Sequence, residues 1–181
     1  MGLADQLTVA RALSVPVVVA LFAIPFSGHN YWGTAVFCVA MATDWFDGRI
    51  ARRSGRTSRF GTLLDPVADK LLVLTTLIVL LGQDVFPAWM VAAIVARELL
   101  VNGLRLAAVE RGVVIAARDL GKLKTWAQAI AAAVGGFAAA GAWSNGVAWW
   151  SMLVAVVLTY VSGLDYARAA PALFKGRSAT V

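Results

Sequence analysis

The sequence predicts an all-α integral membrane protein with six transmembrane helices, forming a single domain over residues 1–181. Of these residues, 60% are hydrophobic, and the mean hydropathy is +0.76. Apolar stretches of about 20 residues, the length at which a helix crosses the hydrocarbon core, cover nearly all of the chain. This composition excludes an ordinary soluble domain.

The predicted spans are separated by alternating turn-rich and basic connections. They are 7–26, 31–53, 60–81, 86–108, 120–140 and 147–167. Turn-forming residues mark the first, third and fifth connections, at 27–30, 82–84 and 143–146. The first stretch is longer than the apolar region of a leader peptide and has only Arg11 as a nearby base, so we interpret it as a retained span.

The basic residues alternate between the two sides of the predicted bundle. The three turn-rich connections contain no Lys or Arg, whereas arginines and lysines surround the second and fourth connections and follow the sixth span. The positive-inside rule therefore places both termini and the basic connections in the cytoplasm. In a membrane protein, the net charge of +6 favours contact with anionic lipid and not with nucleic acid.

Four aspartates lie at the predicted cytoplasmic ends of the second and third spans: Asp44, Asp47, Asp65 and Asp69. Helix positions three apart lie about 60° apart around the axis and positions four apart about 40°, so each pair shares a face. Clustered carboxylates repel one another, and hard divalent cations with oxygen ligands relieve that repulsion. The single His and single Cys cannot build a usual zinc site. We therefore predict two divalent cations, Mg²⁺ or Mn²⁺.

Small residues accompany the acids. Gly48 and Ala51 would let a ligand that carries phosphates approach the helix backbone. A metal that bridges phosphates stabilises charge during phosphoryl-type transfer, and an aspartate can accept a proton from an attacking hydroxyl. Two alternatives also use the acids: an ion network with the neighbouring arginines and Lys70, and the ion site of a small cation transporter. A transporter site should lie near the midplane, whereas these acids lie at helix ends.

The run from Asp44 to Asp69 is similar to the signature of the CDP-alcohol phosphotransferase family, Asp-x-x-Asp-Gly-x-x-Ala-Arg, a spacer, then Gly-x-x-x-Asp-x-x-x-Asp. Every specified position is present, with a spacer of eight residues. The likeness continues at Ala96-Arg97-Glu98 and Gly121-Lys122-x-Lys124-Thr125, so it covers most of the chain. It implies six membrane helices, usually a homodimer, and a bacterial inner-membrane location. It also implies a reaction in which an acceptor hydroxyl attacks CDP-diacylglycerol and releases CMP.

The resemblance also assigns roles. The four aspartates correspond to the ligands of two metal ions, and Asp69 corresponds to the base that deprotonates the acceptor. The residues predicted to bind the CDP-lipid are Thr8, Gly48, Ala51, Arg52, Ser58 and Gly61. Thr8 and Arg11 retain part of an amino-terminal family pattern, from which Ala4 and Asp5 depart. An alternative for Thr8 and Arg11 is that they cap and anchor the first helix.

A group of basic residues is predicted to bind the phosphate of the acceptor: Arg11, Arg97, Arg105, Arg118, Lys122 and Lys124. A positive pocket suits a phosphorylated acceptor, and by resemblance the segment 65–70 favours glycerol 3-phosphate. Inositol phosphate is the alternative acceptor. Arg118, Lys122 and Lys124 could instead set topology and bind anionic lipid.

Arg97 and Glu98 are adjacent ionisable residues within the fourth predicted span. Neighbours on a helix point about 100° apart, so we expect each to find a partner on another span. An internal Arg97–Glu98 pair is the alternative.

Overall fold

The described part of the chain folds as six α-helices, which confirms the predicted all-α class. The computed structural model describes the backbone of residues 3–54, 59–110 and 119–175, and the side chains of residues 10–43, 70–104, 106–108 and 120–164. Within these ranges the helices are α1 (Leu3–Ala23), α2 (His29–Ser54), α3 (Arg59–Gly82), α4 (Ala88–Glu110), α5 (Asp119–Ala139) and α6 (Asn145–Lys175).

Each helix corresponds to one predicted span, with bounds that differ by a few residues. The exception is α6, which continues to Lys175, beyond the predicted end at 167. Among the described residues, Asn145–Leu164 has a mean hydropathy of 1.8 and is long and apolar enough to cross a membrane. Shorter apolar helical stretches lie at Ala10–Ala23 and Lys70–Gly82. Membrane crossing stays a prediction for all of these helices.

One end of the bundle, here called the turn end, joins α1 to α2, α3 to α4 and α5 to α6. Gln83 Nε2 donates a hydrogen bond of 2.9 Å to the carbonyl oxygen of Phe22, and Asn30 Nδ2 donates one of 2.9 Å to that of Ala139. Both bonds connect different turns. The opposite end, where α2 ends and α3 begins, is called the motif end because it carries the aspartates.

Small residues allow close helix contacts near the turn end. A Cβ atom added to Gly136 would lie 2.2 Å from Thr34 Oγ1, and one added to Gly135 would lie 2.4 Å from Phe86 Cζ. The glycine-rich part of α5 therefore packs against α2 and the α3–α4 turn of the same chain. Small residues at such positions let helix backbones approach closely.

Apolar side chains lie both inside the bundle and on its surface. Met90 and Ile94 of α4 are fully buried, whereas Leu99, Leu100 and Leu106 of the same helix are 65%, 69% and 67% exposed. A helix that is apolar on both its inner and outer sides is typical of a membrane span. In the interior, α5 packs most extensively against α6, while α1 packs against α2 and α3.

Candidate functional site

The aspartate motif lies on two successive helices at the motif end. Asp44 and Asp47 belong to the last part of α2, and Asp65 and Asp69 to the first part of α3. The helical spacing expected for each pair is therefore present in the backbone. The side chains of all four aspartates lie outside the described residues, so their role as metal ligands and that of Asp69 as base stay predictions.

Binding of the CDP-lipid by the residues predicted for it likewise stays a prediction. Thr8 lies on α1, and Gly48, Ala51 and Arg52 lie near the end of α2. Gly61 lies in the first turn of α3. The side chains at these positions lie outside the described residues, and so does the whole of Ser58.

A buried polar cluster begins one residue after Asp69. We call it the Glu98 cluster and define it by Lys70, Arg97, Glu98, Asn102, Lys124, Gln128, Thr159 and Ser162. These residues come from α3, α4, α5 and α6. The cluster therefore connects the motif end of α3 to the interior between the last three helices.

Glu98 is the centre of the cluster and is only 2% exposed. Its Oε1 atom accepts a 3.0 Å hydrogen bond from Arg97 Nη1, a short one from Lys124 Nζ, and one of 3.3 Å from Gln128 Nε2. Its Oε2 atom lies 3.8 Å from Lys70 Nζ. A buried carboxylate with several charged donors is stabilised in its ionised form by hydrogen bonds and opposite charge.

The outer members extend the hydrogen bonding. Lys70 Nζ donates to Asn102 Oδ1, and Arg97 Nη2 donates to Ser162 Oγ. Gln128 Nε2 also donates to Thr159 Oγ1 at 2.8 Å. Because these bonds join four helices, the cluster fixes how α3 to α6 lie relative to one another at this level of the bundle.

The geometry corrects one expectation and confirms another. Arg97 and Glu98 do pair with each other, although they are adjacent on α4. The long arginine side chain bridges the angular separation of the two positions. Each residue also has partners on other helices, as expected: Arg97 contacts Ser162 of α6, and Glu98 contacts Lys124 of α5 and Lys70 of α3.

The space for the Arg97 side chain comes from a glycine on α6. A Cβ atom added to Gly163 would lie 3.1 Å from Arg97 Nε. That nitrogen is buried and has no hydrogen-bond partner within the described part of the chain. The guanidinium group is therefore held by its two terminal nitrogens, with its third nitrogen against the bare backbone of α6.

The structure brings two of the predicted acceptor-binding residues together, Arg97 and Lys124, both buried and both bonded to Glu98. Lys122 lies two positions from Lys124 on α5 and is exposed. Arg11 is buried on α1. The Arg105 side chain and the whole of Arg118 lie outside the described residues. Phosphate binding by these six residues stays a prediction.

The chemistry of the motif suits a hard divalent cation, since its donor set consists of carboxylate oxygens. Among the described side chains, which exclude those of the motif, no group of three or more His, Cys, Asp or Glu residues could hold a metal ion. The four aspartates are therefore the candidate ligands, on the chemistry of their side chains and their helical spacing.

Sequence reasoning did not assign a role to several members of the cluster: Glu98, Asn102, Gln128, Thr159 and Ser162. A signal was present, because polar and ionisable residues are rare within apolar spans and usually face the interior. Glu98 was visible as an acid in the fourth span. Its convergence with three cations from three helices depends on tertiary packing, which the spacing of residues along one helix does not encode.

Comparison with known proteins identifies the family of the chain. The sequence profile of the CDP-alcohol phosphatidyltransferase family matches residues 1–161. A Bacillus subtilis protein named CDP-diacylglycerol–glycerol-3-phosphate 3-phosphatidyltransferase is 42% identical over 142 residues, covering 72% of this chain and 74% of the relative. An Escherichia coli protein of the same name is 38% identical over 133 residues, covering 70% and 72%. The chain therefore belongs to the CDP-alcohol phosphatidyltransferase family.

Proposed function

We propose that this chain transfers the phosphatidyl group of CDP-diacylglycerol to sn-glycerol 3-phosphate, giving phosphatidylglycerol phosphate and CMP in phospholipid biosynthesis. The observation that carries this proposal is the continuity of two features. The aspartate motif on α2 and α3 runs directly into Lys70, a member of the buried basic cluster around Glu98. Relatives at 38% and 42% identity carry names that state this reaction.

The proposed step exchanges one phosphorus–oxygen bond for another. The acceptor hydroxyl oxygen bonds to the lipid-linked phosphorus while the phosphoanhydride bond to CMP breaks, and CMP leaves with the electron pair. The Asp69 carboxylate accepts the proton of the hydroxyl. A direct attack of this kind inverts the configuration at phosphorus.

Asp44, Asp47, Asp65 and Asp69 are the residues that would hold two divalent cations, Mg²⁺ or Mn²⁺. Family members are generally divalent-cation dependent. When bound, such ions stabilise the negative charge on the phosphates and on the leaving group.

The remaining residues divide between the two substrates. Thr8, Ser58 and the small or basic residues near the motif, Gly48, Ala51, Arg52 and Gly61, contact the CDP-lipid. Arg97 and Lys124 supply buried positive charge to the acceptor phosphate, together with the other predicted bases, Arg11, Arg105, Arg118 and Lys122. Bidentate hydrogen bonding by Arg and point charge from Lys suit a phosphate monoester.

We also propose that all six helices cross the bacterial inner membrane, with both termini and the motif end in the cytoplasm, and that the chain forms a homodimer. Basic residues are concentrated at the motif end and absent from the three turns. This orientation exposes the site to the compartment that contains nucleotides and glycerol 3-phosphate.

Release of CMP by the purified protein tests this function. The protein in detergent is mixed with CDP-diacylglycerol, Mg²⁺ or Mn²⁺, and either glycerol 3-phosphate, inositol phosphate, inositol or serine. We expect CMP release with glycerol 3-phosphate and loss of release when a chelator removes the metal. Faster release with inositol phosphate would assign the other phosphorylated acceptor, and no CMP with any acceptor would refute the transferase.

A further inference from the structure

Glu98 has no part in the proposed reaction, yet it is the most highly connected side chain at the motif end among the described residues. It is 2% exposed and accepts hydrogen bonds from Arg97, Lys124 and Gln128. The chain thus buries an acid among cations that are predicted to bind an anion.

Stability of the fold does not account for such an arrangement. Replacing a buried ion network by well-packed apolar residues of similar volume is often neutral or stabilising. Ionisable residues within apolar spans are costly, and they usually mark functional sites. A role in placing the surrounding cations explains why a carboxylate occupies this position.

The geometry around Glu98 supports that role. The carboxylate gathers basic groups from three helices: Lys70 from α3, Arg97 from α4 and Lys124 from α5. Long basic side chains have large rotamer freedom, and like charges at short range repel. A single carboxylate between them restrains all three and offsets their repulsion.

The cluster becomes more accessible towards the motif. The side chain of Glu98 is 2% exposed and that of Lys70 is 28% exposed. Lys70 follows Asp69 directly in α3. The more accessible part of the cluster is therefore the residue that follows the predicted base in the sequence.

We propose that Glu98 is a positioning residue for the acceptor substrate. Its carboxylate holds Lys70, Arg97 and Lys124 in fixed places before the acceptor binds, so that a phosphate-bearing alcohol meets preorganised positive charge beside Asp69. This inference rests on the proposed function and extends it to a residue that touches neither the reacting atoms nor the nucleotide.

Steady-state kinetics of Glu98→Gln test the proposal. Glutamine keeps the size of the side chain but removes its charge, so the cations lose their common partner. We expect the KM for glycerol 3-phosphate to rise about tenfold or more, while the KM for CDP-diacylglycerol changes by less than about twofold. Glu98→Asp should recover part of the loss. Thr76→Val is the matched control and should leave both KM values unchanged. The Thr76 side chain is fully buried, and its hydroxyl donates a hydrogen bond to the carbonyl oxygen of Leu72 in the same helix.

A charge-exchange variant distinguishes the effect of where the carboxylate lies from the effect of the net charge of the cluster. In the double variant Glu98→Gln with Gln128→Glu, the carboxylate moves to α5 and the net charge of the cluster is kept. This variant also serves if Glu98→Gln alone does not fold. A KM for glycerol 3-phosphate that stays raised supports positioning, and recovery to the wild-type value overturns it. Equal changes in both KM values for Glu98→Gln would likewise show a general structural role.

A binding measurement keeps this inference separate from the proposed function. Inorganic phosphate should raise the thermal unfolding midpoint of the wild-type protein, and Glu98→Gln should lose that shift. If the wild type releases no CMP but its phosphate shift depends on Glu98, the proposed function fails and the positioning role stands. If CMP release is normal and Glu98→Gln keeps the phosphate shift, the positioning role is wrong.

Discussion

A single carboxylate oxygen, Oε1 of Glu98, accepts hydrogen bonds from an arginine, a lysine and a glutamine. Breaking a buried pair by removing one partner costs about 3–5 kcal/mol, because the other charge is left unpaired. At the scale of the residue, the basic side chains therefore depend on one another, because they share one carboxylate. A change at any one cation alters the surroundings of all of them.

The types of residue at the site were predictable from the sequence, but their partners were not. Asp44, Asp47 and the other motif acids are candidate ligands from their spacing, since helix geometry determines which positions share a face, and their role stays a prediction. The Arg97–Glu98 pair was only the alternative expectation, because the angular rule for neighbouring positions ignores the reach of a long side chain. Side-chain length and the local room provided by Gly163 decided that contact.

The base assigned to Asp69 gives a prediction for a single residue. Asn has nearly the same size as Asp but no carboxylate to accept a proton, so Asp69→Asn should abolish CMP release while CDP-diacylglycerol binding stays measurable. The measurement is CMP release together with equilibrium binding of the CDP-lipid. Asp84→Asn, at an exposed residue of the turn end, is the control and should remain fully active. Wild-type turnover by Asp69→Asn would exclude Asp69 as the base.

At the scale of the element, hydropathy located every helix but not every end. The α6 helix continues to Lys175 although its apolar part ends near Leu164. Hydropathy reports where a helix leaves an apolar environment, whereas the helix itself continues as long as its backbone hydrogen bonds do. The part of α6 that follows Leu164 contains several alanines, and alanine has a high intrinsic helix propensity.

The close contact between α5 and α2 gives a prediction for helix packing. Gly136→Ala would place a methyl group 2.2 Å from Thr34 Oγ1, where Thr34 is bonded to the carbonyl oxygen of Asn30. We expect the free energy of unfolding to fall by about 1–3 kcal/mol, the usual cost of overpacking a close contact. The measurement is the midpoint of unfolding in detergent, which should be lower.

Gly103→Ala provides the control for that measurement. Gly103 is also inside a helix, but nothing lies within 4 Å of an added Cβ atom. Alanine should there be neutral or stabilising by about 0.5–1 kcal/mol, since it favours the helix. Equal effects of the two substitutions would contradict the close approach of α5 to α2.

At the scale of the whole molecule, the alternation of short turns and basic connections was sufficient to predict an up-and-down bundle with two different ends. The hydrogen bonds of Asn30 and Gln83 confirm that the turns lie together. The interhelical order was not predictable, because a helix such as α4 carries apolar residues on its outer as well as its inner face, so periodicity does not distinguish the two. Close glycine contacts and the Glu98 cluster provide that information.

The orientation of the bundle in the membrane can be tested by thiol labelling. In a Cys38→Ala background, Ser27→Cys and Ser144→Cys at the turn end should react with a membrane-impermeant reagent in intact cells. Ser178→Cys should react only after permeabilisation, because the positive-inside rule places the carboxyl terminus in the cytoplasm. Labelling of Ser178→Cys in intact cells would reverse the topology.

The bare backbone of Gly163 beside Arg97 Nε has a consequence for how this site can change. A methyl group added there would lie 3.1 Å from Arg97 Nε, so the guanidinium would have to shift by a few tenths of an ångström although no ionisable residue had been replaced. Volume on α6 can thus change the place of a positive charge. If Arg97 binds the acceptor phosphate as proposed, an uncharged residue that never touches the acceptor helps to determine how it binds.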